Sequence, residues 1–232
     1  MNYTKKKDVK SNLIVEGVVN KNNSVFLNKI NFAESKNLIK IKNINLNSKK
    51  KLKRIDQIDI DLVNNNDQIS QLNIKRKKSN YSINSKIFDG TKILDRILFS
   101  KSDGNFFDVF EKLNSKITIN FNTIYITNED YLTNFKADMI VNNNQIKDLI
   151  LSSQFATKED LKLSIKTNSN NERITDLFAG NAKPLVKKYD FIKGFEGGYL
   201  KFDSIEKNKV SNSNLKIFDF KLKEVPALTK LL

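Results

Sequence analysis

The chain has no cysteine, no histidine and no tryptophan, and only 7 glycines and 2 prolines among its 232 residues. Each absence removes a class of chemistry. Without Cys there is no disulfide framework, and without Cys or His no zinc centre of the usual kind. Without His, the Ser-His-Asp and Cys-His nucleophile systems have no base. The lack of Cys does not by itself fix the redox compartment. Long apolar runs are missing as well, and no stretch approaches the roughly 20 apolar residues of a membrane helix. Met1 to Lys10 is basic but lacks the apolar core of a secretory signal.

What fills the chain instead is Lys, Asn and Ile: 37, 33 and 26 residues, against 4 Arg. The codons for these three are AT-rich and those for Arg are mostly GC-rich. Skewed base composition therefore accounts for much of the formal net charge of +15. The excess is also local. Residues 1–54 hold 14 Lys and Arg against 3 Asp and Glu, a net of +11, which leaves +4 for the rest. Attraction to a polyanion belongs to that N-terminal part.

The dominant hydrophobic period is two. Leu13 to Val19 and Ser24 to Ile30 read as paired strands across an Asn/Lys-rich turn. Leu38 to Leu46 alternates at Ile39 and Ile41, then changes phase to Ile44 and Leu46, which predicts a bulge. Ile58, Ile60 and Leu62 alternate against Asp59 and Asp61. Further candidates are Ile69 to Ile74, Tyr81 to Ile87, Ile117 to Ile126 (read as two short strands), Leu161 to Ile165, Tyr199 to Ser204 and Leu215 to Lys223. About a dozen short strands of this kind predict an antiparallel sheet with meander connections.

With Gly and Pro scarce, Asn is expected to supply the turns, because it tolerates left-handed backbone. Asn64 to Asn66 and Asn142 to Asn144 are the expected loop tips. Three stretches have helical spacing: Thr91 to Leu98, Phe106 to Leu113, and Ala182 to Tyr189 with Asn181 as N-cap. Each is only about two turns long and depends on packing. No Gly/Ser or Pro-rich linker divides the chain, so residues 1–232 read as one continuous β architecture.

Few constellations suggest chemistry. Asp56, Asp59 and Asp61 are the densest acidic group, and Asp59 and Asp61 share a strand face able in principle to hold a hard cation. The simpler reading makes them the solvent side of an alternating strand. Neither a metal nor a cofactor is expected, and no carboxylate pair is marked out as a general acid and base, so an enzyme is not expected. Gly194 to Gly198 matches no phosphate-loop pattern and reads as a turn. The basic clusters Lys49 to Arg54 and Lys75 to Lys78 have no interleaved aromatics for base stacking. Solvated loops or anionic headgroups suit them better than nucleic acid.

Leu177 to Leu232 carries a more specific pattern. A short helix with Ala182 and Leu185 is followed by Gly197-Gly198, a strand, then Asp219-Phe220 and Pro226-Ala227-Leu228 with Leu231-Leu232. This order resembles the AsmA-like C-terminal region of bacterial envelope proteins, the AsmA/YhdP/TamB group. Asn181 stands where relatives often have Asp, and Lys183 where they have Gly. The resemblance implies a mainly β fold: a long curled antiparallel sheet forming an open β-groove, with a few short amphipathic helices. It implies phospholipid transfer between inner and outer membranes, with acyl chains shielded in the groove. The partner it implies is phospholipid acyl chains, and the N-terminal Lys excess suits an anionic membrane surface. The implied location is the periplasm, on the inner membrane through a segment this chain lacks. Val225 to Leu232 opens an apolar helix without a C-cap, which makes the chain, as an expectation, a piece of a longer protein.

The inward rows expected to line the groove are Ile58, Ile60, Leu62, Ile117, Ile119, Phe121, Leu161, Leu163, Ile165, Leu215 and Ile217. Ala182, Gly197, Gly198 and Pro226 are the expected motif and turn positions. The same rows also suit a closed core. A structural β-rich protein with a dry interior is therefore the main alternative, and a basic nucleic-acid-binding module the second.

Overall fold

A computed structural model describes residues 10–63, 69–91, 107–189, 193–208 and 210–223. The thirteen strands among them are β1 (Ser11–Val19), β2 (Val25–Glu34), β3 (Asn37–Leu46), β4 (Leu52–Val63), β5 (Ile69–Lys77), β6 (Asn80–Asp89), β7 (Ser115–Tyr125), β8 (Tyr131–Asn142), β9 (Gln145–Phe155), β10 (Asp160–Thr167), β11 (Arg173–Ala179), β12 (Phe195–Lys207) and β13 (Val210–Leu222). They form one sheet in sequence order, and β1 and β13 do not meet, so the sheet is open. Every pair is antiparallel except β6 and β7, which run parallel. That pair departs from the expected pure meander. Residues 90–114 lie between its strands, the length a parallel crossover requires.

One helix, α1 (Lys183–Tyr189), occurs among the described residues, at the position the helical spacing predicts. Asn181 caps it, its side-chain oxygen accepting from the Lys183 amide at 3.2 Å. Phe107 to Leu113 is not helical. Its backbone is used otherwise: the Leu52 amide donates to Val109 and the Glu111 amide to Leu52, at 3.0 and 2.8 Å, so this stretch pairs with the start of β4. The third expected helix, Thr91 to Leu98, lies outside the described residues after Thr91, as does the loop tip Asn64 to Asn66.

Asparagine makes the bends. Of twelve non-glycine residues with positive φ among the described residues, seven are Asn. Most sit in turns, such as Asn143 and Asn144 between β8 and β9, but Asn43 and Asn134 lie inside β3 and β8. Asn43 falls between Ile41 and Ile44, where the alternation changes phase, and has φ 53°. The expected irregularity is there, built from a left-handed residue inside the strand. Left-handed backbone costs a β-branched or bulky residue roughly 1–2 kcal/mol, and Asn less. Such kinks let a long sheet bend without losing its ladder.

The bending is strong between β7 and β12. These strands are five steps apart, roughly 24 Å on a flat sheet. The seven residues of α1 span only about 10 Å. Yet Ala182, just before α1, donates its amide to Gly198 of β12 at 2.9 Å, while Lys188 reaches the Ile126 carbonyl beyond β7 at 3.2 Å. Lys187 pairs with Glu129 in the β7–β8 turn at 2.6 Å. Only a sheet curled on itself brings these points under one short helix.

Candidate functional site: an apolar trough

Strand register places one apolar row across all thirteen strands. From β1 to β6 it runs Val15, Ile30, Ile41, Ile58, Ile74, Ile83. From β7 to β13 it continues Ile119, Ala137, Leu151, Leu163, Leu177, Phe202, Leu215. No polar residue interrupts it. Parallel rows flank it, among them Tyr81–Ile117–Met139–Leu149–Ile165 and Ser153–Leu161–Ala179–Leu200–Ile217.

Burial along this face divides in two. In β7 to β10 the inner residues are sealed, apart from a half-buried Ile119: Leu132 is 0% exposed, Leu149 1% and Ile165 1%. A single sheet layer cannot exclude water from one face without cover. The curl supplies part of the cover, and two segments close the ends. Ala182, Leu185 and Val186 of the α1 region are buried at one end. Phe107 and Leu113 are buried at the other, with Phe110 packed edge-on to Tyr81. Burial raises the Tyr81 hydroxyl pKa above the ordinary tyrosine value. In β2 to β6 the same row is only half-buried, and in β1 every residue is exposed, Val15 by 52%.

All eleven expected lining residues fall on this inner face. Ile117, Phe121, Leu161, Leu163 and Ile165 are in the sealed section. Ile58, Ile60, Ile119 and Ile217 are half-buried, and Leu62 and Leu215 are exposed, by 41% and 44%. Sequence reasoning missed β8 and β9, and with them Leu132, Met139, Leu149, Leu151 and Phe155. Their alternation is blurred by apolar residues on the outer side, Ile140 and Ile150, and by Ser153 on the inner side. Phe135 through Met139 does alternate, and that signal is visible in the sequence.

The motif residues gather at the α1 end. Gly194, Gly197 and Gly198 all have positive φ, and Gly197 and Gly198 lie within β12, a kinked strand where the sequence suggested a plain turn. A Cβ on Gly198 would lie 2.5 Å from the Phe218 carbonyl, so the strand pair tolerates only glycine there. Phe220 stacks on Phe195 with ring centroids 5.3 Å apart. Glu196 bridges the neighbourhood, 3.6 Å from Lys183 and 2.6 Å from Lys223. Those lysines hold its carboxyl below the usual range, Lys223 contributing most. Pro226 and the residues after it lie outside the described residues.

The acidic trio serves neighbours in the sheet. Asp59 accepts from the side-chain amides of Asn73 and Gln57, and Asp61 from Gln71 at 3.0 Å. Asp56 lies 3.1 Å from Arg54 and 3.6 Å from Arg76. Among the described residues no three His, Asp or Glu gather as metal ligands, and no helix is long and apolar enough to cross a membrane.

No family model, no curated protein and no solved structure matches the chain.

Proposed function

We propose that this chain is a β-groove segment that shields lipid acyl chains, in the manner of the AsmA-like envelope proteins that residues 177–232 resemble. The observation that carries the proposal is the uninterrupted apolar row, half-buried in β2 to β6 and exposed in β1. Such a surface binds without covalent chemistry. Each CH₂ taken from water contributes about 0.8 kcal/mol, with little selectivity among chains. The chain needs no catalytic residue for this work, and it is read as a carrier and not an enzyme. The reading places it in the periplasm, attached to the inner membrane through a segment outside these residues, serving phospholipid movement between the two membranes.

The sealed section of β7 to β10 refines the assignment. Ile117, Phe121, Leu161, Leu163 and Ile165 act as core that holds the curl, and acyl chains lie over β2 to β6, with Ile58 and Ile60 central. The same sealed section favours the second reading, a structural β-rich protein with no ligand. Lipids extracted from the purified protein and identified by mass spectrometry separate the two. The expected result is phospholipid from the wild type, and none from a folded Ile58→Glu variant. The carrier reading falls if the wild type carries no phospholipid, or if Ile58→Glu simply unfolds the chain.

A further inference from the structure

The basic clusters at Lys49 to Arg54 and Lys75 to Lys78 are far apart in sequence but meet at one end of the open half. The β3–β4 and β5–β6 turns lie on the same side, because β4 and β5 pair antiparallel with Gln57 opposite Lys75. Together they bring nine cations to this rim against three carboxylates among the described residues, Asp56, Asp108 and Glu111. The opposite end of the same strands carries Glu34, Lys36, Asp61 and Asp89 and has no such excess among the described residues.

The arrangement is finer than a charged turn. Only four arginines exist in the chain, and two of them, Arg54 and Arg76, face one carboxylate, Asp56. Arg76 stands directly opposite Tyr81, whose ring belongs to the inner face. Arg54 Nε lies 3.1 Å from an Asp56 carboxylate oxygen. Asp56 thus neutralises one guanidinium and leaves one net positive charge where the apolar rows of β4 to β6 run out. Lys49, Lys75, Lys77 and Lys78 have no carboxylate partner among the described residues, whereas Lys53 lies 3.9 Å from Glu111. A planar guanidinium fork suits a phosphate better than an ammonium does, so the rare use of Arg here favours a phosphate ligand over general solvation.

We infer that Arg54 and Arg76, with the neighbouring lysines, hold the phosphate of an anionic phospholipid whose acyl chains lie in the open trough. This rests on the acyl-chain reading above and adds an orientation: the headgroup sits at the rim formed by the β3–β4 and β5–β6 turns.

The test loads the full chain from mixed micelles with phosphatidylglycerol, phosphatidylcholine or diacylglycerol of identical acyl chains, at fixed salt. The wild type takes up phosphatidylglycerol over phosphatidylcholine by roughly ten-fold, the size of one charge-assisted contact. Arg76→Gln brings that ratio near one and leaves diacylglycerol uptake unchanged. Arg76→Lys restores part of the ratio, which also guards against misfolding as the cause. Lys216→Gln with Lys221→Gln, which removes two charges from β13, leaves it intact. A wild-type ratio near one, or an Arg76→Gln protein that keeps the preference, overturns the headgroup site while diacylglycerol uptake preserves the trough. Failure to load any of the three lipids overturns both. Binding of inorganic phosphate without lipid uptake also overturns the proposal.

Discussion

The two halves of the sheet are made from the same pattern and end in different states. In β2 to β6 and in β7 to β10, apolar residues alternate with polar ones and share one cross-strand row. The first set is half-open and the second sealed. The difference lies in what covers each face. The second half is curled under α1 and closed by Phe107 and Leu113, whereas among the described residues the first is touched only at one end, where the stretch from Phe107 to Glu111 pairs with Leu52 and packs Phe110 on Tyr81. Alternation therefore specifies which side is greasy, and the cover decides whether that side is a core or a surface for a ligand.

Truncation breaks the comparison most sharply. Phe155→Ala, at a site 2% exposed, is expected to cost about 3–5 kcal/mol, whereas Ile58→Ala at a half-buried site costs about 1 kcal/mol. Urea denaturation midpoints measure both, and equal losses would erase the distinction between the halves. Gly198→Ala comes next. Its φ of 75° and the 2.5 Å approach of the Phe218 carbonyl predict a loss of about 2 kcal/mol or more. Hydrogen exchange should show the loosening at α1 and β12, with β3 to β5 unaffected. In the open half, Asn43→Val should cost about 1–2 kcal/mol and Asn43→Gly close to nothing, since the position needs left-handed backbone at φ 53°.

A smaller effect comes from pH. The Tyr81 hydroxyl has its pKa raised in the fold, chiefly by desolvation. The folded state therefore favours the neutral phenol. Its contribution is fully present below the ordinary value of 10.0 and is lost as pH rises through the folded value. Thermal melts between pH 9 and 11 should fall more steeply for the wild type than for Tyr81→Phe. An identical slope would remove Tyr81 from the seal. The smallest effect on stability belongs to the edge. Val15→Lys on the exposed strand β1 should change unfolding free energy by no more than about 0.5 kcal/mol. It should nevertheless reduce self-association in light scattering, because charge on an edge strand blocks pairing with another chain.

Much of this was legible in the residues. Ile58 to Leu62 and Leu161 to Ile165 alternate cleanly and lie in strands, and Leu38 to Leu46 lies in a strand with the kink at Asn43 where its phase changes. All eleven inward positions could be read from period two alone. What failed to read were segments whose pattern serves contacts distant in sequence. Phe107 to Leu113 has helical spacing, yet its apolar residues cover Tyr81 and its backbone pairs with Leu52. The rows of β8 and β9 were hidden because Ile140 and Ile150 point outward, exposed by 48% and 60%.

By itself the sequence determined a mainly β chain with one apolar face, Asn-built turns and no thiol or imidazole chemistry. These follow from residue type and from a period of two, which are local properties. Only the tertiary structure decided the single parallel pair, the curl beneath α1 and the split between sealed and open halves. It also brought Arg54 and Arg76 to one carboxylate. Those features depend on which distant segments meet, and residue periodicity carries no information about that.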